Sequence, residues 1–90
     1  MNSEDFLNYC LNIVDGYTKE HLDKSEEVPS YTVFIVWYCK TLQNHKALLS
    51  TSLPDGMYYE CTYNGDKNEK YLDAYKKFEN ICIKEEKNYE

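Results

Sequence analysis

The chain has 90 residues, enough for one small domain, and a net charge of −6. All of its basic residues are lysines, which argues against a nucleic-acid binder, because phosphate recognition favours arginine and a net negative surface repels a polyanion. The longest apolar run, residues 33–39, is much shorter than the roughly 20 residues that span a bilayer. The first ten residues are acidic where a secretory signal is basic. We therefore expect a cytoplasmic protein that does not insert into a membrane.

Apolar residues recur in steps of three and four along the first segment and predict an amphipathic helix from Ser3 to about Leu22. Either Asn2 or Ser3 can cap its start, and the acidic residues of the first turn suit the helix dipole. Gly16, inside this helix, suggests a close contact with a neighbouring sheet. The polar residues 23–30 end the helix.

Three strands are predicted next, at residues 31–41, 47–53 and 57–63. Turns at 43–45 and 53–56 join them into an antiparallel meander. Strict alternation divides each of the two aromatic strands between two faces. In the first strand these faces are Val33, Ile35, Trp37 and Cys39 against Phe34, Val36 and Tyr38; in the third they are Met57, Tyr59, Cys61 and Tyr63 against Tyr58, Glu60 and Thr62.

A second amphipathic helix is predicted after Asn64-Gly65, with Asp66 and Glu69 as capping residues. Its apolar face is Tyr71, Leu72, Tyr75, Phe78, Ile81 and Cys82. The predicted fold class is therefore α+β, a three-stranded antiparallel meander with two flanking helices in the order α-β-β-β-α. Residues 1–90 form a single domain in this prediction, and residues 84–90 fray.

The sequence offers little catalytic or metal-binding chemistry. No two cysteines have the close spacing of a zinc knuckle or a redox dithiol, and all four (Cys10, Cys39, Cys61 and Cys82) lie in apolar stretches, which predicts buried free thiols. His45 is placed in a turn. A zinc site of Cys39, His45 and Cys61 and a Cys39–His45 nucleophile pair are alternatives that the usual ligand spacing and geometry disfavour. We expect no enzyme activity, no cofactor and no metal.

Aromatic residues are the unusual feature, with ten tyrosines, three phenylalanines and one tryptophan. Tyrosine and tryptophan are enriched at interface hot spots, and the central strand is apolar on both faces. We therefore predict a self-association or partner surface at Trp37, Tyr38, Tyr58, Tyr59 and Glu60. The acidic residues Glu26 and Glu27 form a second candidate patch for a basic partner.

Several segments resemble one family. They are FIVWYCKTLQN (34–44), KALLST (46–51), LPDGMYYE (53–60), TYNGDK (62–67) and YLDAYKKFEN (71–80). They are similar to a family of small proteins, a domain of unknown function, of tailed phages and prophages of Gram-positive bacteria. The likeness is close over residues 31–83 and looser over the first helix. It implies expression in the cytoplasm of a bacterial host but no residue-level activity.

These observations favour a non-enzymatic phage accessory protein that binds a host or phage macromolecule. Its partner is a bacterial or phage protein, and an anti-defence inhibitor, such as an anti-CRISPR protein, is one form of this hypothesis. A homodimer is a second way to cover the aromatic surface. The alternatives are a small-ligand or nucleotide-binding domain that stacks its ligand on the aromatics, and an accessory factor in phage DNA metabolism, which the charge disfavours.

Overall fold

The first element of the chain, α1 (Ser3–His21), is the predicted helix. The computed structural model describes residues 1–22, 25 and 27–85. The side chain of Asn2 accepts a hydrogen bond of 2.7 Å from the backbone N–H of Asp5 and caps the helix. In the described chain, apart from the adjacent residues and the backbone of the same helix, no atom lies within 4 Å of the position that a Cβ on Gly16 would take. The close contact suggested for Gly16 is therefore wrong.

Four strands follow and pair as one antiparallel sheet in chain order: β1 (Val33–Thr41), β2 (Asn44–Thr51), β3 (Met57–Asn64) and β4 (Glu69–Lys76). β1 and β2 are joined by the two-residue loop 42–43. β2 begins and ends earlier than the predicted strand at 47–53. The turn before β3 has Gly56 at φ +69°, a conformation that glycine adopts without steric cost. Each strand is therefore paired with its neighbour in the sequence.

A β-bulge at Val36 changes which side chains of β1 share a face. Residues 35 and 37 pair with the adjacent residues 49 and 48 of β2, so Val36 is the extra residue. The alternation predicted from the sequence is therefore wrong beyond residue 35. The two faces of β1 are Val33, Ile35 and Tyr38 on one side, and Phe34, Trp37 and Cys39 on the other.

Strand β4 occupies residues that the sequence assigned to a second helix. The loop before it is stabilised by Asn64, whose Oδ1 accepts hydrogen bonds from the backbone N–H groups of Asp66 and Lys67. Asn68 completes the loop with a positive φ of 54°. Asn and Asp residues favour such turns because their side chains hydrogen-bond to nearby backbone groups. The proposed capping residues therefore belong to a hairpin.

The fold is α+β, as predicted, but its detail differs. The described residues contain one helix and four strands, so the prediction of two helices and three strands is wrong. Residues 77–85 have no regular secondary structure. In the described part of the chain, no helix has both the length and the apolar character needed to cross a membrane.

The core lies between α1 and one face of the sheet. The helix packs on β1, β2 and β3. The fully buried apolar residues come from α1 and the two central strands: Phe6, Cys10, Val14, Ala47, Leu49, Tyr59 and Cys61. Within the described residues, no second helix packs on the opposite face of the sheet.

Candidate functional site

The sheet face opposite α1 is the candidate site, and we call it the open face. Because paired residues in neighbouring strands point to the same side of a sheet, the register defines three rows across this face. The rows are Phe34–Ser50–Tyr58–Tyr75, Trp37–Leu48–Glu60–Asp73 and Cys39–Lys46–Thr62–Tyr71.

Large aromatic side chains on the open face are exposed. Phe34, Trp37, Tyr71 and Tyr75 are 41–51% exposed, and Tyr58 lies half-buried between the two edge strands. Scattered apolar side chains are normal on a protein surface, but a contiguous apolar surface tends to mark an interaction site. The open face groups these rings on one side of one sheet.

The centre of the open face is acidic. Glu60 and Asp73 are paired across β3 and β4, and Lys46 Nζ lies 3.7 Å from Glu60 Oε1. The Tyr75 hydroxyl donates a 3.4 Å hydrogen bond to the same Glu60 oxygen, and the negative charge of Glu60 is the main cause that raises the pKa of Tyr75. Two carboxylates and one ammonium group therefore leave the centre with a net negative charge.

The structure separates the aromatic residues nominated from the sequence. Trp37, Tyr58 and Glu60 lie on the open face. Tyr59 is 2% exposed and packs edge-on against Tyr17, with ring centroids 5.5 Å apart. The prediction that Tyr59 belongs to an exposed patch is therefore wrong, because its alternation places it against α1.

Tyr38 also points towards α1 and belongs to a buried polar network. Its hydroxyl lies 2.7 Å from the hydroxyl of Ser3 and 2.7 Å from Nδ1 of His45. Nε2 of His45 lies 3.1 Å from the carbonyl oxygen of Met1. Since a carbonyl oxygen only accepts, Nε2 of His45 donates this hydrogen bond to Met1. His45 is thus a buried strand residue, and its predicted place in a turn is wrong.

The four cysteines fall into two classes. Cys10 and Cys61 are buried, whereas Cys39 and Cys82 are exposed, so the prediction of four buried thiols is wrong for two of them. The hydrogen bond with Cys61, together with burial, raises the pKa of Cys10. The same hydrogen bond lowers the pKa of Cys61. Cys10 is therefore the member of the pair that has little thiolate at neutral pH.

The register also separates the residues of the zinc and nucleophile alternatives. Cys39 lies on the open face, while the side chains of His45 and Cys61 are buried on the side of α1. Within the described residues, no group of three or more His, Cys, Asp or Glu side chains could hold a metal ion.

The second candidate patch is described only in part. Glu27 is exposed in the connection between α1 and β1. Glu26 lies outside the described residues.

Two grooves lie at opposite ends of the open face. The Trp37 groove has a volume of about 360 Å³ and is lined by Trp37, Cys39, Thr41, Lys46 and Thr62, among others. The Lys77 groove has a volume of about 460 Å³. Its lining is of mixed polarity, with apolar side chains such as Phe34 and Leu53 and polar ones such as Ser50, Thr51 and Lys77.

The sequence-based site left out four large apolar or aromatic residues of the open face: Phe34, Leu48, Tyr71 and Tyr75. Tyr71 and Tyr75 were assigned to a helix face, although Tyr71, Asp73 and Tyr75 also alternate with the period of a strand. That alternation was the signal that could have found them.

These features define a small α+β protein with one helix, in its described residues, on one sheet face and an aromatic surface on the other. The chain belongs to a family of unknown function, DUF6275, whose model matches residues 7–85. The match includes most of α1, all four strands and the segment that follows β4. No curated protein and no solved structure matches the chain.

Proposed function

We propose that the protein is a non-enzymatic accessory protein of a phage or prophage that binds a bacterial or phage protein in the host cytoplasm. The observation that carries this proposal is the open face, where four large aromatic side chains of β1 and β4 are 41–51% exposed. The resemblance of the central segments to proteins of tailed phages supports the phage setting.

The open face has the composition of a binding surface. Trp and Tyr are enriched among the residues that dominate protein–protein affinity, and they cluster near the centre of interfaces. Trp37 and Tyr71 lie in adjacent rows of the face, on its two edge strands. A partner that covers both rings also covers the strands between them.

The acidic centre indicates the chemistry of the partner. Glu60 and Asp73 together outweigh the charge of Lys46, so a bound surface gains by placing a lysine or arginine opposite them. A basic surface with apolar neighbours fits this arrangement. Proteins that bind nucleic acid carry such surfaces, which makes an anti-defence inhibitor the form of the proposal that we favour.

One observation favours a second candidate function, the binding of a small ligand or nucleotide. The Trp37 groove combines an exposed indole ring with the ammonium group of Lys46, and these groups could stack a base and contact a phosphate. Thermal unfolding with millimolar nucleotide tests this candidate, because a ligand that binds only the native state raises the melting temperature.

The main proposal is tested with a double variant, Trp37→Ser with Tyr71→Ser, and with Val28→Ser as the matched control. Val28 is also exposed, at 51%, but lies before β1 and outside the open face. Each protein is tagged and used to capture partners from phage-infected cells, and a captured protein is then purified and titrated by calorimetry. Circular dichroism and melting temperature establish that both variants are folded.

The expected result is one partner that binds the wild type and the control with equal affinity. The double variant should bind it at least about 100-fold more weakly, since each of two hot-spot side chains is worth roughly tenfold or more. A partner that binds all three proteins equally would show that the open face is not its site.

A further inference from the structure

A cavity lies on the helix side of the sheet, between the last turn of α1 and the turn that precedes β3. We call it the Tyr17 cavity. Its lining includes three rings, two apolar side chains and one carboxylate: Tyr17, His21, Tyr59, Leu53, Met57 and Asp55. None of these residues belongs to the rows of the open face. A ligand here is therefore independent of the proposed partner surface.

The fold holds the aromatic rings of the cavity in place. Tyr17 and His21 are one helical turn apart, and their rings stack with centroids 4.0 Å apart. Nδ1 of His21 donates a 2.8 Å hydrogen bond to the carbonyl oxygen of Tyr17, since a carbonyl oxygen only accepts. Tyr59, which is almost fully buried, packs edge-on against Tyr17. The rings are therefore positioned without any ligand.

Asp55 places a negative charge beside these rings. Its Oδ1 accepts a 3.1 Å hydrogen bond from the backbone N–H of Met57, and a carboxylate has lone pairs for further donors. Burial raises the pKa of the Tyr59 phenol, and the charge of Asp55 raises it further. No lysine lines the cavity in the described chain, and Lys19, in the last turn of α1, pairs with Asp15 at 3.0 Å instead.

We propose that the Tyr17 cavity binds a small organic cation, an ammonium group on a short apolar body, with its charge between Asp55 and the ring of Tyr17. A cation is attracted by a carboxylate and also by the face of an aromatic ring, and the second attraction strengthens where water is excluded. Leu53 and Met57 supply apolar contacts for the body of the ligand. An anion is repelled by Asp55, and a neutral molecule gains nothing from its charge.

The volume of the cavity limits the size of the ligand. It is about 220 Å³, which is larger than an engineered cavity of about 150 Å³ that holds one benzene ring. It is smaller than the usual sites of drug-sized molecules. A molecule of roughly ten non-hydrogen atoms, with one ring or one trimethylammonium group, matches this space. Ligands of this size bind with dissociation constants of about 1 mM at ordinary efficiency per atom.

The test is titration of the isotope-labelled full chain, followed by NMR spectroscopy of its backbone amides. The pH is about 8, which favours neutral imidazole rings and so avoids a competing positive charge. Phenethylamine and choline are the two probes, because they compare a primary with a quaternary ammonium group. Each has a neutral counterpart of similar shape: phenethyl alcohol for the first, and for choline the alcohol with a tert-butyl group in place of trimethylammonium.

Two variants remove the two attractions separately. Asp55→Asn removes the charge but keeps an oxygen that accepts from the backbone of Met57, so the turn is preserved. Tyr17→Leu removes the stacked ring and keeps an apolar side chain with good helix propensity. Glu20→Gln is the matched control, because it removes a negative charge from an exposed position of α1 outside the cavity. Amide dispersion and melting temperature establish that each variant is folded.

One or both cations should bind the wild type with a dissociation constant of about 1 mM, and the neutral counterpart should bind at least about tenfold more weakly. The shifted amides should lie in residues 17–22 and 53–59. Asp55→Asn and Tyr17→Leu should each weaken binding at least about fivefold. Glu20→Gln should leave it within about twofold of the wild type.

Four results would overturn the proposal. The first is that neither cation binds more tightly than about 10 mM. The second is a neutral counterpart that binds as tightly as its cation, which would indicate an apolar pocket only. The third is an Asp55→Asn variant that binds like the wild type, and this variant decides alone if Tyr17→Leu does not fold. The fourth is a set of shifts centred on Trp37 and Tyr71, which would place the cation on the open face.

Discussion

Tyr58 and Tyr59 are adjacent residues of the same type that lie on opposite faces of β3, and replacing each by serine tests the assignment of the two faces. Tyr59 is 2% exposed and packs on Tyr17 of α1, and its phenol interacts with Thr18. Tyr58 lies half-buried on the open face, opposite Ser50 and Tyr75. A stability difference between the two variants therefore reports which face the helix covers.

The structure sets the size of the expected effect. Truncating a fully buried aromatic side chain costs about 3–5 kcal/mol, whereas the Tyr58→Ser change on a half-covered surface should cost about 1 kcal/mol or less. For a domain of this length, each kcal/mol lowers the melting temperature by roughly 4–8 °C. Tyr59→Ser should therefore lower it by at least about 12 °C.

The assay is paired thermal and urea unfolding, followed by circular dichroism at dilute protein concentration. Tyr59→Phe separates the ring from its hydroxyl group and should lose only about 1 kcal/mol, the contribution of one hydrogen bond. A Tyr59→Ser variant that melts within about 3 °C of the wild type would refute the assignment. A Tyr58→Ser variant that loses as much as Tyr59→Ser would refute it as well, since it would show that both faces are packed.

Three further predictions concern thiols, glycines and a carboxylate. The two exposed cysteines should react with a maleimide in native protein within minutes, while the buried pair does not react. Intact-mass spectrometry should show two labels per chain, and four labels would contradict the burial of Cys10 and Cys61. Gly65→Ala should destabilise by about 1–3 kcal/mol, because a Cβ there overlaps the carbonyl oxygen of Gln43. Gly16→Ala, in an open helical position, should be neutral or stabilising by up to about 1 kcal/mol. Urea unfolding measures the stability of both variants, and an equal change in the two would contradict the difference in space around these glycines. The hydrogen bond from Tyr31 is the main cause that lowers the pKa of Asp15 in the folded protein below its ordinary value of 3.8. The ionised carboxylate therefore stabilises the fold at pH values above 3.8, and this stabilisation is lost as the pH falls through the lower pKa of the folded state. Tyr31→Phe should therefore lower the urea midpoint at pH about 7 but not at pH about 2, and an equal loss at both would argue against the pair.

Local sequence patterns were sufficient to predict the positions of α1, β1 and β3. The spacing of Phe6, Cys10 and Val14 is that of one helix face, and all three are buried as expected. β-branched and aromatic residues marked the first strand. These elements follow from interactions between residues close in the sequence, which is why a single sequence predicts them.

Two features depend on contacts that local patterns do not contain. Residues 71, 72 and 75 fit a helix face by their spacing, but pairing with β3 gives them strand geometry. The bulge at Val36 adds one residue to β1, and strict alternation cannot reveal where such an insertion falls. Trp37 and Tyr38 were both nominated as surface residues, and the bulge decided which of them faces solvent.

The sequence predicted an aromatic surface on the sheet but not which residues form it. Alternation already placed Tyr58 and Tyr59 on opposite faces of the third strand, so a sheet covered on one side could expose only one of them. The prediction did not establish which face of the sheet is covered, because it placed a second helix where the structure has β4. With β4 in place of that helix, the open face gains two aromatic residues, Tyr71 and Tyr75, and the described chain has no second helix to cover them.

The chain order of the strands has a consequence for how the protein folds. Every strand pair is a hairpin between neighbours in sequence, and hairpins close within microseconds. Docking of α1 needs far longer closures, such as the 35 residues between Ser3 and Tyr38 and the 44 between Met1 and His45. The sheet can therefore assemble before the helix arrives, and folding should be fast for a β-rich protein because most of its pairings are local. During synthesis, α1 leaves the ribosome before the strands on which it packs, β1, β2 and β3, and the last of these completes its docking surface.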